Sequence, residues 1–262
     1  MCKIFQNRAC RLSLIVSTLM LGLILTGCSF SKAKTGNTAS AWMLYNVARA
    51  KVISADGYRE KMNMGGVVSS PGRPNDIYAT STETIVNNPT DTSMEMSFES
   101  TTTARNLNNH TTMYYKNGVK YTNDENRKIK TAIDITKIDD FPYIPAFSRT
   151  AIIYTDITKA PTGTTIIFVV KGDGYSGYDQ NLSEIPNVED ATFPNATITA
   201  FITSDGQLKN VSIKASCSAK INNRRVNATI NTKITGIEIG HQTIVFPPDL
   251  DSYKEVPAAK TP

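Results

Sequence analysis

Between Leu208 and Ile234 the chain alternates. Val211, Ile213, Ala215, Cys217, Ala219 and Ile221 take every second position of one run, and Val226, Ala228, Ile230 and Ile234 recur in the next, with Asn222-Asn223-Arg224 between them. Successive strand side chains point to opposite faces, so a period of two broken by a polar turn dictates antiparallel strands with one dry face and one wet face. The same period recurs upstream. Tyr58, Met62 and Met64 share one side of a strand, as do Met94, Met96 and Phe98. Further strands are predicted over Ile77–Val86, Ser93–Thr102, Met113–Tyr115, Val119–Thr122, Arg127–Ile133, Ala151–Thr158, Thr164–Lys171 and Thr197–Thr203. Asn117-Gly118 marks a tight hairpin, and Ser69–Pro74, Asn87–Thr90, Pro161–Gly163 and Ser204–Gln207 mark other turns. The fold class is mainly β: a curved antiparallel sheet of about ten strands.

One segment has helical spacing. Over Ala41–Ala55, Trp42, Tyr45, Arg49 and Val52 line one side, and Leu44, Val47, Ala48 and Ala55 widen the apolar stripe. Thr38 or Ser40 would cap its start, and Gly57 follows its end. Asp139–Ser148 reads as a loop, because Pro142 and Pro145 forbid a regular helix. Gly172–Asp190 reads as a long polar loop. Ten strands at ~4.8 Å spacing make a sheet roughly 43 Å wide, and one helix about 10 Å across covers only two or three of them. The rest of the dry face must curl on itself, meet another layer or hold something else.

The N-terminus reads as an export signal. Met1–Arg11 carries Lys3, Arg8 and Arg11 and no acid; Leu12–Thr26 is rich in Leu, Ile, Val and Met. That apolar run falls short of the ~20 residues needed to span a bilayer. It ends in Leu25-Thr26-Gly27-Cys28, which resembles the bacterial lipobox. The resemblance implies cleavage between Gly27 and Cys28 and a diacylglyceryl group on the Cys28 sulfur, holding the chain at the extracytoplasmic face of the cell membrane. Cys28–Ser40 is small and polar and reads as a flexible tether. Residues 41–256 are expected to form a single β domain, and 257–262 a polar tail.

Removing the signal takes three of the 28 basic residues and none of the 23 acidic ones, leaving 25 against 23, a net +2. A nearly neutral surface argues against nucleic acid as a partner. Four cysteines become one: Cys2 and Cys10 leave with the signal, Cys28 is acylated, and Cys217 sits in the apolar register of a strand as a core thiol. The catalytic inventory is thin. His110 falls in an Asn-rich turn and His241 near a strand end, neither with a second ligand at metal spacing. There is no Gly-x-Ser-x-Gly elbow, and Gly172-Asp173-Gly174 has the wrong context for a phosphate loop. Asp173 and Asp179 lack the spaced carboxylates of a calcium site. No catalytic residue, metal site or soluble cofactor is assigned, and the chain is read as a non-enzyme. Tyr114, Tyr115, Tyr121, Tyr175 and Tyr178 either cover sheet surface or stack on sugars.

Lipobox, tether, a helix starting near Trp42, the run of antiparallel strands, the Tyr114-Tyr115-Lys116-Asn117-Gly118-Val119-Lys120-Tyr121 hairpin and the terminal Asp249-Leu250-Asp251-Ser252-Tyr253 together resemble LolA/LolB-like lipoproteins of Gram-positive bacteria. The resemblance implies an incomplete β-barrel whose concave side, with the helix packed in it, holds acyl chains. Trp42, Met62, Met64, Met94, Met96 and Phe98 are the expected apolar lining, thioethers being adaptable to variable ligands. The expected function is binding of a lipid or other amphiphilic molecule; the alternative is a structural or adhesive envelope module with a filled core.

Overall fold

The computed structural model describes residues 38–72, 76–89, 93–104, 107–124, 127–133, 144–172, 188–221 and 223–257. Among the described residues the helix α1 (Thr38–Ile53) leads into strands β1 (Gly57–Ser69), β2 (Asp76–Asn87), β3 (Glu95–Ala104), β4 (Leu107–Lys116), β5 (Val119–Asp124) and β6 (Arg127–Ala132). After a short 3-10 turn at Arg149–Ala151 come β7 (Ile152–Ala160), β8 (Gly163–Val170), β9 (Val188–Thr192), β10 (Ala196–Thr203), β11 (Leu208–Ile221), β12 (Arg224–Ile239) and the two-residue β13 (Lys254–Glu255). All thirteen join one sheet in the order β13-β6-β5-β4-β3-β2-β1-β12-β11-β10-β8-β7, with β9 added beside β11. The sheet is mainly antiparallel, curved and open, an incomplete barrel as expected.

The strand count exceeds ten because Val188–Thr192 and Lys254–Glu255 add β9 and β13, and a further stretch read otherwise in the sequence lengthens a strand already expected. The Asn-rich segment around His110 belongs to β4, where His110 pairs with Thr101; a partner strand overrides the poor β propensity of Asn. Val188–Thr192, the end of the expected loop, pairs with β11. Elsewhere turn chemistry and structure agree. Asn117 and Gly118, with φ of 52° and 76°, make the two-residue turn that pairs Lys116 with Val119. At Gly163, φ is 153° and a Cβ would lie 2.3 Å from the Ile202 carbonyl oxygen, so only glycine lets β8 lie this close to β10.

The register assigns every side chain to one of two faces. Phe168, Ile198, Ile213, Thr232, Met64, Thr80, Thr102 and Asn109 lie in rows on one face, while Ile167, Thr199, Ser212, Lys233, Asn63, Ser81, Thr101 and His110 lie on the other. The first face carries α1, which packs on β7, β10 and β11. A contiguous core forms there from Tyr45, Ala48, Val52, Phe147, Ile166, Phe168, Ile198, Val211 and Ile234, extending to Tyr58, Met62, Val86, Met96 and Tyr115.

The helix begins at Thr38 and so takes in both residues expected to cap it. Ala41, Tyr45, Ala48 and Val52 are buried at helical spacing, with Trp42 and Arg49 half-buried. Leu44 and Val47, expected within the core stripe, are exposed together with Met43. At 100° per residue Met43 and Val47 lie on the side away from Ala41, Tyr45 and Ala48, with Leu44 on the flank between, and a helix resting on a sheet buries only one side.

Helix and sheet are joined by the segment 144–148. Tyr45 donates its hydroxyl to the Pro145 carbonyl at 2.7 Å, Trp42 its Nε1–H to Phe147 O at 3.1 Å, and Arg49 its Nε–H to Ile144 O at 3.1 Å. The Tyr45, Phe147 and Phe168 rings meet at centroid separations of 5.1–5.8 Å. Side chains of α1 thus satisfy the backbone of a proline-broken segment about a hundred residues away, and buried carbonyls require such partners.

Beyond β12 the chain crosses the outer face. Asn87 clamps the turn: its Nδ2 donates to Gln242 O at 2.7 Å and its Oδ1 accepts from Gln242 N at 2.8 Å. Phe246 then meets Tyr114, and Tyr253 meets Tyr121, at ring separations of 6.0 and 5.8 Å. β13 runs parallel to β6. Among the described residues no helix is long and apolar enough to cross a membrane.

Candidate functional site

The helix-bearing face changes character from one end of the sheet to the other. Under α1 it is mainly hydrocarbon, with the hydroxyl of buried Thr155 beside Phe168. Toward β1–β4, away from the helix, two lanes run side by side. Ile234, Met62, Met64 and Ile230 on β12 and β1 form a largely apolar lane, interrupted by buried Thr232 opposite Met64. Beside it β2, β3 and β4 present Thr82, Ser100 and Thr111 in one row and Thr80, Thr102 and Asn109 in the next. Thr80 and Thr102 are joined at 3.1 Å and Thr82 and Ser100 at 3.5 Å, so hydroxyls pair across the strands and hold one another in place.

Between this hydroxyl field and the core lies the row Glu60, Thr84, Phe98 and Met113. Glu60 and Thr84 are fully buried. Thr84 Oγ1 has no hydrogen-bond partner among the described residues, and a buried hydroxyl left that way costs on the order of 1–3 kcal/mol. Phe98 and Met113 are half-exposed.

The six residues expected as an apolar lining fall into two groups. Met62, Met94 and Met96, at 6%, 4% and 1% exposure, are part of the core, and Met64 is buried further along the apolar lane. Trp42, on the helix, and Phe98, on β3, are half-exposed at the edge of that core. Met62, Met64, Met96 and Phe98 share one face, as the alternation required, Met94 just before β3 is buried in the same core, and Trp42 packs against that core from above. Met113 belongs with them. It pairs directly with Phe98, a relation that neither strand's alternation reveals until the register is known.

The other polar candidates lie elsewhere. His110 is on the outer face, its Nδ1 3.2 Å from Thr101 Oγ1 and its Nε2 3.7 Å from Glu99 Oε1, with its side chain exposed. His241 is exposed just past β12. The two do not form a site, and among the described residues no three His, Cys, Asp or Glu side chains cluster as a metal would need. Glu83, also outward, takes a hydrogen bond from Arg59 Nε at 2.6 Å and lies 3.6 Å from Lys61. An open hollow of about 350 Å³ lies over Asn63, Gly65, Ala79, Ser81, Thr101 and Thr103 on that same outer face. Cys217 is buried on the helix-bearing face, and burial pushes its thiol up to about 12; it is a core side chain and not a nucleophile.

The hairpin tyrosines are structural. Tyr115 is buried in the core, and Tyr114 and Tyr121 on the opposite face are covered by Phe246 and Tyr253. Burial raises the phenols of Tyr114 and Tyr253, and neighbouring carboxylates add to it. Asp249, within the terminal motif, is held below the ordinary carboxylate range by its hydrogen bond from Lys128. The signal, Gly27, Cys28, Asp173, Asp179, Tyr175 and Tyr178 lie outside the described residues.

No family model matches the sequence, and no curated protein matches it either. Among solved structures, LprF from Mycobacterium bovis aligns over 80% of this chain and 97% of its own, at 9% identity and a TM-score of 0.41. A LolA superfamily protein from Nitrosomonas europaea aligns over 78% and 94%, at 8% identity and a TM-score of 0.26. A DUF1329 family protein from Desulfovibrio piger aligns over 78% and 94%, at 7% identity and a TM-score of 0.25.

Proposed function

We propose that this protein is an extracytoplasmic lipoprotein, anchored through diacylglycerol on Cys28, whose non-enzymatic task is to bind an amphiphilic molecule bearing an acyl chain. The observation that carries the reading is the pair of lanes on the helix-bearing face. A sheet that only had to fill its own core would need no row of hydroxyls beside a row of methionine and isoleucine. An acyl chain would enter past half-exposed Phe98 and Met113, against Met62 and Met64. Met94 and Met96 lie behind, where unbranched thioethers can change rotamer to make room. Trp42 would close the helix side. The polar end of the ligand would meet Thr80, Thr82, Ser100, Thr102 and Thr111, and Thr84 Oγ1 offers a hydrogen bond that none of the described residues uses. The likeness to LolA/LolB-like lipoproteins stated from sequence fits this reading, and residues 41–256 would act as one domain.

Covered hairpin tyrosines weigh against the adhesive alternative, since rings packed under Phe246 and Tyr253 cannot stack on a sugar.

The test is binding of dansylaminoundecanoic acid to residues 29–262. Blue-shifted emission that palmitate reverses is expected, and Phe98→Glu should weaken it at least ~10-fold, because a carboxylate at the entry must be desolvated. Lys233→Ala on the outer face should leave it unchanged. Emission that stays that of free probe at saturation, with native mass spectrometry finding no lipid on protein taken from membranes, would refute the proposal.

A further inference from the structure

The outer side of α1 has no reason in the fold to be apolar. Met43, Leu44 and Val47 are 60%, 36% and 55% exposed. They stand at i, i+1 and i+4, so their side chains form one contiguous patch. At 100° per residue, Ser40, Ala50, Lys51 and Ser54 continue the same side, and all are exposed. Lys51 is the one charge on that side, and the sixteen residues of α1 contain no acid. Lys51 is also the basic residue of the last turn, where its Nζ donates to Gly206 O at 3.1 Å. A solvent-facing helix surface in a water-soluble setting would carry mixed charge. This one carries methionine, leucine and valine, side chains that a bilayer interface takes up, beside a single cation turned to the Gly206 carbonyl.

The sequence supplies the surface it would meet. On the reading that Cys28 is acylated, Thr38 stands ten positions beyond the anchor, a span of at most ~35 Å. That distance holds the patch near the headgroups at all times, so weak insertion is enough to seat it.

We propose that the Met43–Leu44–Val47 side of α1 is a second membrane contact, seating the domain on the bilayer to which Cys28 tethers it. The inference rests on the anchor in the proposed function but not on ligand binding. It fixes the body relative to the membrane: α1 lies flat on the surface, and the sheet, bound to the helix's other side, stands above it. An acyl chain leaving the bilayer would then have α1 and Trp42 as its first protein contact.

The experiment uses the full acylated chain in vesicles of phosphatidylcholine and phosphatidylglycerol. Val47→Cys adds a single reactive thiol, because Cys217 is buried and Cys28 is blocked. A nitroxide there is compared with one at Asn231→Cys, which is exposed on the outer face of β12. Relaxation by oxygen should exceed relaxation by a water-soluble nickel chelate several-fold at position 47, with the order reversed at 231. Adding Met43→Ser and Leu44→Ser should return position 47 to the values seen at 231. A chain that floats with the vesicles while label 47 stays water-exposed overturns this inference alone. An immobile label, shielded from both agents and broadened by a second spin, overturns it in favour of contact between two copies. A chain that fails to float overturns the anchor and this inference together.

Discussion

Replacing Tyr45 by Phe removes one oxygen and leaves the ring. The ring keeps its contacts with Phe147 and Phe168 at 5.2 and 5.8 Å, so no cavity opens. What is lost is the 2.7 Å hydrogen bond to Pro145 O. Tyr45 is 0% exposed, and water cannot easily take the vacated place. The carbonyl is stranded, and that asymmetry sets the cost at about 1–3 kcal/mol, above the ~1 kcal/mol of an average exchange with solvent. For a chain of this size the urea m-value is near the upper end of ~1–3 kcal/mol/M, so a loss of about 2 kcal/mol lowers the midpoint by roughly 0.7 M. Trp42 is the sole tryptophan and donates to Phe147 O in the same joint, so its fluorescence reports this place directly. Tyr45→Ala should cost about 3–5 kcal/mol, because the ring's packing goes too. Arg49→Met removes the neighbouring bond to Ile144 O. Combined with Tyr45→Phe it should fall short of additivity, since both bonds hold one segment. A Tyr45→Phe midpoint within ~0.1 M of the parent, with m unchanged, would mean that α1 does not hold segment 144–147 through this hydroxyl, and the account of the joint would be wrong.

Asn87→Ala should destabilise by about 2–3 kcal/mol, since Asn87 is 1% exposed and both of its bonds go to the Gln242 backbone; limited proteolysis should then cut between 241 and 253 before the sheet, and an unchanged digestion pattern would deny the clamp. Cys217, buried and with its thiol raised to about 12, should resist iodoacetamide in the folded protein and react at once in urea; alkylation at equal rates in both would mean the strand register is wrong. Asp249 is hydrogen-bonded by Lys128 and titrates below its ordinary 3.8, so the stability it adds is complete above that value and drains away as pH falls through the lowered one. Asp249→Asn should therefore flatten the decline of the urea midpoint as pH falls below about 4, and an identical decline in both proteins would remove the pair from the account.

The alternation of β10–β12 was legible in the sequence because burial on one face imposes the period directly: Val211 through Ala219 are buried at every second place. Asn117-Gly118 was legible because few dipeptides adopt two positive φ angles in succession. The N-terminal half of β4 was not, because Asn108 and Asn109 have no strand preference of their own and are held by pairing with β3. The outward turn of Leu44 and Val47 was hidden for a related reason. A helix with apolar residues on both sides gives no sign of which side a sheet will cover, and here the aromatic contacts of Tyr45 decide it. The hydroxyl lane was hidden most completely. Thr80, Thr82, Ser100, Thr102 and Thr111 are scattered among other threonines in three strands, and only the pairing of β2 with β3 and β3 with β4 sorts those on the helix side from those facing water. A surface that handles an amphiphile must place apolar and polar groups within one ligand's length, and in a sheet that neighbourhood is built across strands, where sequence distance carries no information about it. The methionines were visible as one apolar face because they recur along strands; the hydroxyls beside them become visible only through the register.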